Sequence, residues 1–520
     1  MDITQISTLS NLVPFHAAIR PDAEAVVYGP DCLSFGELEG RSNQVAHGLL
    51  AECSGPCSRV AILDRNSETF FEVLFGTAKA GDVLVTVNFR LTPSEIEYVL
   101  HDSQAEVVFV GEEYAPLVDA IRENLPRLKC MIIMGEGAGA NYQAWRDQQP
   151  ASRPVIDVDP EDIAVQMYTS GTTGNPKGVE LSHRAMVGAA LAGLSVWPFL
   201  YEPGAAVLGT MPLFHIAAAN LCIAALFVGA RAEIVRETSP PELARILIEK
   251  QITLVPVPAT VIHEMLRNPG VREQDFSALK TMLIAGSGIS VELLREAQQV
   301  FRCGFALSYG STETCGGMTY LGAGDCTADA GKLLTSAGKL LDQSEIRIVD
   351  EHDGDLPAGQ TGEILCRSNR LMTGYWGRPE ATAQALRDGW FYSGDAGYMD
   401  AQGYLYVVDR IKDMVISGGE NVYPTEIEQV MRAHPAVDDV AVVGVPDDKW
   451  GEALLAFVIR KPDANATGEE LEAFLRGKLA GFKVPRKYEF VDSFPLNATG
   501  KVLKRTLRAP YWEGEARQIG

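Results

Sequence analysis

Up to about residue 400, short Val/Ile-rich runs alternate with amphipathic stretches of helical period, and this alternation limits the chain to α/β layers. Residues 59–63, 106–110, 130–134 and 253–257 have the near-continuous apolar character of strands buried on both faces. Between them, residues 68–80, 242–250 and 292–300 repeat apolar positions at helical spacing. Beyond about residue 412 the pattern changes. A strand over 404–408 leads into the charged junction Asp409-Arg410-Ile411-Lys412-Asp413, and Pro424 then opens a helix with Ile427, Val430 and Met431 on one face. Strands over 440–443 and 454–459 precede a helix from Thr467, whose Glu470 completes a capping-box pattern and whose Leu471, Phe474 and Leu475 face inward. A strand over 488–491 closes the unit. The expectation is an α/β chain: a large multi-layer N-terminal domain over 1–411, with β-sheets flanked by helices, and a small α+β domain over 412–520. No internal repeat or low-complexity tract interrupts this organisation.

The 46% hydrophobic and 22% charged content suits large buried cores and excludes global disorder. Against 68 Asp and Glu stand 45 Lys and Arg, a net charge of −23, which argues against nucleic acid or an anionic membrane as the main partner. Small anions remain compatible, because a few backbone N–H groups and one lysine can override the overall field locally. The most apolar stretches, 185–200 and 216–230, fall short of the roughly 18 residues a span needs and contain Ser, Pro or Asn, so they read as buried helices. Met1-Asp2-Ile3-Thr4 lacks the basic and apolar segments of a signal peptide. Nine scattered cysteines without a C-x-x-C fit reduced thiols, and the expected location is cytoplasmic. Cys53 and Cys57 stand four apart, but no His or Cys pair follows at metal-site spacing, which argues against zinc.

The segment Tyr168-Thr169-Ser170-Gly171-Thr172-Thr173-Gly174-Asn175-Pro176-Lys177-Gly178 packs three glycines, four hydroxyl residues and a lysine into eleven positions. Such a loop can wrap phosphate oxygens with backbone N–H groups, hydroxyls and one ammonium. It does not have the Walker A spacing. A Gly/Ser/Thr linker is the alternative, but a linker has no reason to end in Pro-Lys-Gly or to follow a strand-like run over 163–167.

This segment resembles the signature loop of the adenylate-forming superfamily, which comprises acyl-CoA synthetases, luciferases and peptide-synthetase adenylation domains. Six further segments match family motifs in order. Ala78-Lys79-Ala80-Gly81 with Asn88-Phe89-Arg90-Leu91 is similar to the second, Met211-Pro212-Leu213-Phe214-His215 to the fourth and Tyr309-Gly310-Ser311-Thr312-Glu313 to the fifth. Gly389-Trp390-Phe391-Tyr392-Ser393-Gly394-Asp395 is similar to the seventh. Asp409-Arg410-Ile411-Lys412 with Gly418-Gly419-Glu420-Asn421-Val422-Tyr423-Pro424 is similar to the eighth, and Pro495-Leu496-Asn497-Ala498-Thr499-Gly500-Lys501 to the last.

The resemblance implies ATP, Mg²⁺ and CoA as co-substrates and cofactor, a small-molecule carboxylic acid as substrate, and a small C-terminal domain that is mobile. ATP or AMP would be bound by Thr169, Ser170, Gly171, Thr172, Thr173, Gly174 and Lys177, by Gly286 and Ser287, by Tyr309, Gly310, Ser311 and Thr312, and by Asp395, Arg410 and Lys501. Glu313, with Thr172, would hold the metal through hard oxygens. An ionised Asp395 has acceptor sites on two oxygens and suits both ribose hydroxyls, whereas a lone Ser-Gly-Asp would otherwise read as a turn. Lys501 would stabilise charge as an acyl carboxylate meets the α-phosphate; Thr172, Lys177, Glu313 and His215 join it as catalytic candidates. Lys412 matches the hinge about which the small domain turns, bringing Ser417, Gly418, Gly419 and Glu420 to the CoA side.

For the acyl pocket the implied residues are His215, Ile216, Ala217, Ala285, Gly286, Gly288, Gly310 and Gly316. Small walls suit a long or wide acid, though they also occur where helices pack closely. A satisfied core histidine remains an alternative for His215. The Phe214-His215 pair stands where amino-acid-activating relatives have Phe-Asp, so a plain carboxylic acid is expected. No carrier-protein domain is expected after Gly520, which agrees with a plain acid. A medium- or long-chain fatty acid leads, with an aryl acid of the coumarate kind, or transfer to a carrier protein, as alternatives. A non-catalytic nucleotide-binding scaffold is disfavoured because Lys177, Glu313, Asp395, Arg410 and Lys501 are all present. No nucleic acid and no integral membrane segment is expected; a homodimer is compatible with the sequence. Ile289, Ser336-Ala337-Gly338-Lys339-Leu340 and Asp342-Gln343-Ser344 depart from family turns near the site.

Overall fold

The computed structural model describes residues 3–137, 139–169, 175–236, 238–284, 289–417, 420–447, 451–462, 464–496 and 502–513. Two compact units emerge: one takes residues 1–346, 366–391 and 403–405, the other 347–365, 392–402 and 406–520. The chain passes between them inside the strands Ser344–Val349, Gly362–Ser368, Trp390–Met399 and Leu405–Arg410. The architecture is mixed α/β, as the alternating pattern predicts.

Two sheets dominate the first unit. The seven-stranded sheet runs Gly374–Tyr375, Lys177–Ser182, Ile163–Thr169, Val83–Thr86, Arg59–Leu63, Val107–Gly111, Cys130–Met134. Its last five strands are parallel, and Val83–Thr86 and Val107–Gly111 are buried at every position, as strands covered on both faces must be. The first two strands are antiparallel additions on one edge. The nine-stranded sheet has a parallel centre formed by Gly304–Ser311, Thr281–Ile284, Leu254–Val257, Ala206–Gly209, Arg231–Ile234 and Glu24–Tyr28. Gly316–Leu321 and Lys339–Leu340 extend one side of it, and Asp31–Ser34 the other.

Helix boundaries follow local chemistry. Ser34 and Glu37 form a reciprocal capping box at the start of Phe35–Glu52, and Thr92 with Glu95 does the same for Pro93–Asp102. Gly81 at φ 74° and Gly229 at φ 78° end Thr69–Ala80 and Ile216–Val228 in the left-handed conformation that glycine reaches without a Cβ penalty. Ile216–Val228 and His183–Val196 are the buried apolar helices expected from 216–230 and 185–200; His183–Val196 touches strands of both sheets. No helix among the described residues is long and apolar enough to cross a membrane.

The second matched motif is architectural at Lys79. Its ammonium is buried and binds Glu39 Oε2 at 2.6 Å, Ser42 Oγ at 2.7 Å and Asn43 Oδ1 at 2.8 Å, locking Thr69–Ala80 onto Phe35–Glu52. Burial lowers its pKa to about 8 despite Glu39.

In the second unit, the hairpin Val437–Asp447 and Gly451–Arg460 carries Lys487–Phe490 in parallel and Val415–Ser417 at its end. Helices Pro424–Arg432 and Gly468–Arg476 bury Ile427, Met431, Leu471 and Leu475 against it, and Thr467 with Glu470 forms the expected capping box. The strands outrun the sequence expectation because the long ladder continues into the polar residues at both ends.

Asp82, next to the Gly81 cap, is buried, and desolvation raises its carboxyl pKa from 3.8 to about 7 against the pull of the Ser58 N–H. Between those values the folded chain keeps a proton that the unfolded chain releases, so stability falls as pH rises, by about 1.4 kcal/mol per unit. Asp82→Asn should match the wild-type thermal midpoint near pH 4 and exceed it at pH 8. A difference between the two proteins that does not vary with pH would contradict this.

Candidate active site

Thr169 and Lys177 pair directly across the antiparallel hairpin that flanks the glycine-rich segment, as do Tyr168 and Gly178. Ser170, Gly171, Thr172, Thr173 and Gly174 lie outside the described residues. The base of the hairpin is tied to one acid: Asp102 Oδ2 accepts from Tyr168 OH at 2.8 Å, and Asp102 Oδ1 accepts from Arg378 Nη2 at 2.6 Å. Trp376 Nε1 donates to the Asp102 carbonyl at 2.9 Å, and Tyr98 OH reaches Pro176 O at 3.1 Å. Burial and the facing Asp102 push the Tyr168 pKa up, so its hydroxyl stays a donor.

On the nine-stranded sheet, Tyr309, Gly310 and Ser311 end a strand that turns back through Thr312–Cys315. The ladder shifts register at Tyr309/Gly310, and a Cβ on Gly310 would overlap the Gly316 carbonyl oxygen, so this close approach requires glycine. The turn is closed by Thr314, whose hydroxyl accepts from Ser311 N at 2.8 Å and lies 2.7 Å from Gly316 O. Cys315 takes φ 51° and Gly316 φ 103°. The turn carries half-buried Glu313, whose Oε1 accepts from Tyr375 OH at 3.2 Å and lies 3.5 Å from Thr169 Oγ1. Lys177 Nζ sits 4.8 Å from the centre of the same Tyr375 ring. The structure thus brings together Thr169, Lys177 and Glu313 from the two sheets. Ser311 Oγ is buried without a hydrogen-bond partner among the described residues, an orphan of the kind a ligand satisfies.

His215 is half-buried and precedes helix Ile216–Val228, with its ring 4.4 Å from that of Phe214. Asn66 fixes the preceding loop, accepting from Leu213 N at 2.8 Å and donating to Met211 O at 2.9 Å. One turn into the helix, Asn220 Nδ2 donates to Cys315 O at 2.8 Å, which ties the helix that begins at Ile216 to the turn before Gly316. Ala217 is exposed and Ile216 buried. Ala285, Gly286, Ser287 and Gly288 lie outside the described residues; Ile289 is buried.

In the second unit, Asp395 Oδ1 and Arg410 Nε form an ion pair at 2.7 Å, and Arg410 Nη1 donates to Ser393 O at 3.2 Å. Asp409 accepts from Thr425 N at 2.8 Å at the start of Pro424–Arg432. Lys412 is half-buried in the single turn Ile411–Asp413, and burial lowers its pKa. Ser417 pairs with Glu420 across a short hairpin. Gly418, Gly419, Lys501 and the Glu420 side chain lie outside the described residues.

A linear reading misses Tyr375, Asp102, Thr314, Asn66 and Asn220, because each acts through contacts with segments remote in sequence. It also misses Arg370, buried behind the turn, which donates to Asp342 O at 3.0 Å, Gly317 O at 3.1 Å and Ser344 Oγ at 2.6 Å. That guanidinium holds the segment where Asp342-Gln343-Ser344 departs from the family turn.

The description "AMP-binding enzyme" matches residues 14–376, and "AMP-binding enzyme C-terminal domain" matches residues 426–501. The chain belongs to the AMP-binding enzyme family. Among its relatives in that family, the fatty acid–[acyl-carrier-protein] ligase ScoC of Streptomyces coeruleorubidus is 37% identical over 99% of this chain and 98% of its own. Feruloyl-CoA synthase of an Amycolatopsis species is 37% identical over 95% of this chain and 96% of its own. A solved Mycobacterium tuberculosis fatty acyl-CoA synthetase superposes with a TM-score of 0.80 at 31% identity, covering 98% of this chain and 99% of that one.

For this AMP-binding enzyme the Gly310 approach gives a direct test. Gly310→Ala must push the Gly316 carbonyl away, at a cost of about 1–3 kcal/mol, and displace the Glu313 turn with it. A lower thermal midpoint and weaker AMP binding by calorimetry are expected; unchanged values for both would show that the turn yields without consequence.

Proposed function

We propose that this chain is an ATP-dependent acyl-CoA synthetase acting on a carboxylic acid, with a medium- or long-chain fatty acid as the leading substrate class. The observation that carries the reading is the convergence of Glu313, Lys177 and Thr169 from two sheets at the mouth of the glycine-rich hairpin. In the first step a carboxylate oxygen attacks the α-phosphorus of ATP, and the bond to the β-phosphate oxygen breaks. Acyl-AMP forms and pyrophosphate leaves. In the second step the CoA thiol, losing its proton, attacks the acyl carbon, and AMP departs with the electron pair of the anhydride bond.

Both partners in the first step are anionic, so catalysis rests on placed positive charge and donors. Residues 169–174 and Lys177 would cradle the departing phosphates, Tyr309 and Gly310 would face adenine, and Asp395 the ribose. The Asp395–Arg410 pair leaves acceptor capacity for hydroxyls, because a carboxylate offers about four lone-pair sites. Among the described residues no three carboxylate, imidazole or thiol groups converge into a metal cage. One carboxylate at Glu313, with phosphate oxygens and the Thr172 hydroxyl, is the hard-oxygen set that suits Mg²⁺, which would supply charge neutralisation on the phosphates. Lys501 is assigned to the charge between acid and α-phosphate, and Ser417 to Glu420 to the CoA side after a turn about Lys412. A cytoplasmic location is part of this reading and fits nine scattered cysteines without a C-x-x-C.

A second reading, transfer of the acyl group to a carrier protein, is favoured by the ScoC match over nearly the whole of both chains. Mass spectrometry of reactions with ATP, Mg²⁺ and panels of fatty and aryl acids, with CoA or a carrier protein, separates the two. Acyl-CoA plus AMP is the expected product; acyl-AMP that ignores CoA but loads the carrier protein would transfer the function to the second reading. Lys501→Ala should abolish acid-dependent ATP–pyrophosphate exchange and leave thioester formation from supplied acyl-AMP within about threefold of wild type, less than 0.7 kcal/mol. Equal loss of both half-reactions would overturn the separate role given to Lys501.

A further inference from the structure

The segment 372–376 binds both halves of the candidate active site. Met372 N donates to Glu313 O at 2.8 Å, so the chain first attaches to the residue carrying the carboxylate. Thr373 N then donates to Glu180 O at 2.9 Å, and Trp376 N to Gly178 O at 2.8 Å, on the strand that begins at Lys177. Gly374 and Tyr375 pair with Glu180 and Val179 between those bonds. The Tyr375 backbone N–H is itself bound by Thr382 Oγ1 at 2.9 Å, and a Cβ on Gly374 would crowd Thr382.

The Tyr375 side chain repeats this bridge. Its hydroxyl donates to Glu313 Oε1 at 3.2 Å, and its ring lies 4.8 Å from Lys177 Nζ. A carboxylate and an ammonium this close to one side chain would ordinarily form an ion pair and cancel the charges each is to offer. Among the described residues no salt bridge joins Lys177 to Glu313; the ammonium faces the ring and the carboxylate meets the hydroxyl.

We propose that Tyr375 is a positioning residue that holds Glu313 and Lys177 apart and aimed, so that the carboxylate remains available to a divalent cation and the ammonium to a phosphate. The proposal rests on the reading of Glu313 and Lys177 given under Proposed function. It gives Tyr375 two separable duties, one in its hydroxyl and one in its ring.

The test is calorimetric titration of the full-length enzyme with α,β-methylene-ATP, with and without Mg²⁺, and with AMP. Tyr375→Phe keeps the ring and removes the hydroxyl. The gain in analogue affinity on adding Mg²⁺ should shrink about 10–100-fold, the usual effect of losing a partner that orients a metal-holding group. Affinity for AMP, and for the analogue without metal, should stay within twofold of wild type. Tyr375→Leu removes the ring as well and should also weaken metal-free analogue binding, because Lys177 is then free to pair with Glu313. A Phe variant with the wild-type Mg²⁺ gain would overturn the proposal, as would one that weakens AMP as much as the analogue, since that marks general damage. Glu313→Gln separates the two layers. If it abolishes the Mg²⁺ gain while Tyr375→Phe does not, the positioning role alone fails. If the Mg²⁺ gain survives Glu313→Gln, the metal role of Glu313 fails, and with it the proposal.

Discussion

Everything at the candidate active site depends on keeping two sheets in register. Lys177 and Thr169 lie on the second and third strands of the seven-stranded sheet and Glu313 on a turn of the nine-stranded one, so neither sheet alone defines their separation. Three ties set it. Strand Lys177–Ser182 runs straight into helix His183–Val196, whose Met186 sulfur lies 3.6 Å from that of Cys315 in the Glu313 turn. The edge strand Gly374–Tyr375 hydrogen-bonds along Lys177–Ser182 and is preceded by Met372, which binds the Glu313 carbonyl. Asn220 ties a third element, helix Ile216–Val228, to Cys315. A site spread over separate elements is precise only when buried contacts of this kind over-determine it.

Buried polar groups occur both in the scaffold and at the site. Lys79, Glu72 and Arg370 are all deeply buried, and each meets several partners; Glu72, for example, accepts from Tyr142 OH at 2.6 Å and Arg146 Nη1 at 2.9 Å. Leaving such a group without partners would cost several kcal/mol, so these bonds are what allows it to be buried, although Arg370 Nε has no partner among the described residues. Near the Glu313 turn Ser311 Oγ and Asn220 Oδ1 are likewise buried without a partner among the described residues, as scaffold atoms such as His16 Nδ1 and Thr77 Oγ1 are. That unspent hydrogen-bonding capacity lies beside a lysine held by an aromatic ring and a carboxylate held by a hydroxyl. At this turn it is capacity a ligand could use, in a molecule whose net charge of −23 would otherwise repel an anion.

The fold class was legible because buried parallel strands and amphipathic helices leave different periods in the sequence, and 59–63 and 130–134 coincide with observed strands. The hairpin residues were legible because glycines, hydroxyls and a lysine at short spacing have a local chemical meaning. Tyr375 was not: it lies 62 residues from Glu313, on a two-residue strand with no period to detect. Asp102 looks like an ordinary helix-terminal acid until Tyr168, Trp376 and Arg378 are seen around it. Ala78-Lys79-Ala80-Gly81 shows the reverse case, since a motif legible as a family mark contributes here through helix packing. The grouping of 347–365 and 392–402 with the C-terminal unit is likewise a property of contacts, to which composition along the chain is blind.

The departures from the family turns follow the same logic. Gly338 adopts φ 90°, and a Cβ there would overlap the backbone of Tyr320 and Leu321, so glycine is required at this turn. Ser336 supplies the stiffness: its hydroxyl donates to Leu405 O at 2.7 Å and accepts from Gly338 N at 2.9 Å. At Asp342-Gln343-Ser344, Gln343 takes φ 58° and Arg370 binds residues 342 and 344. Rigidity that proline would provide by restricting the unfolded chain is provided here by native hydrogen bonds. Arg370 thus couples the 342–344 segment to the strand Gly316–Leu321, which it also grips at Gly317 O.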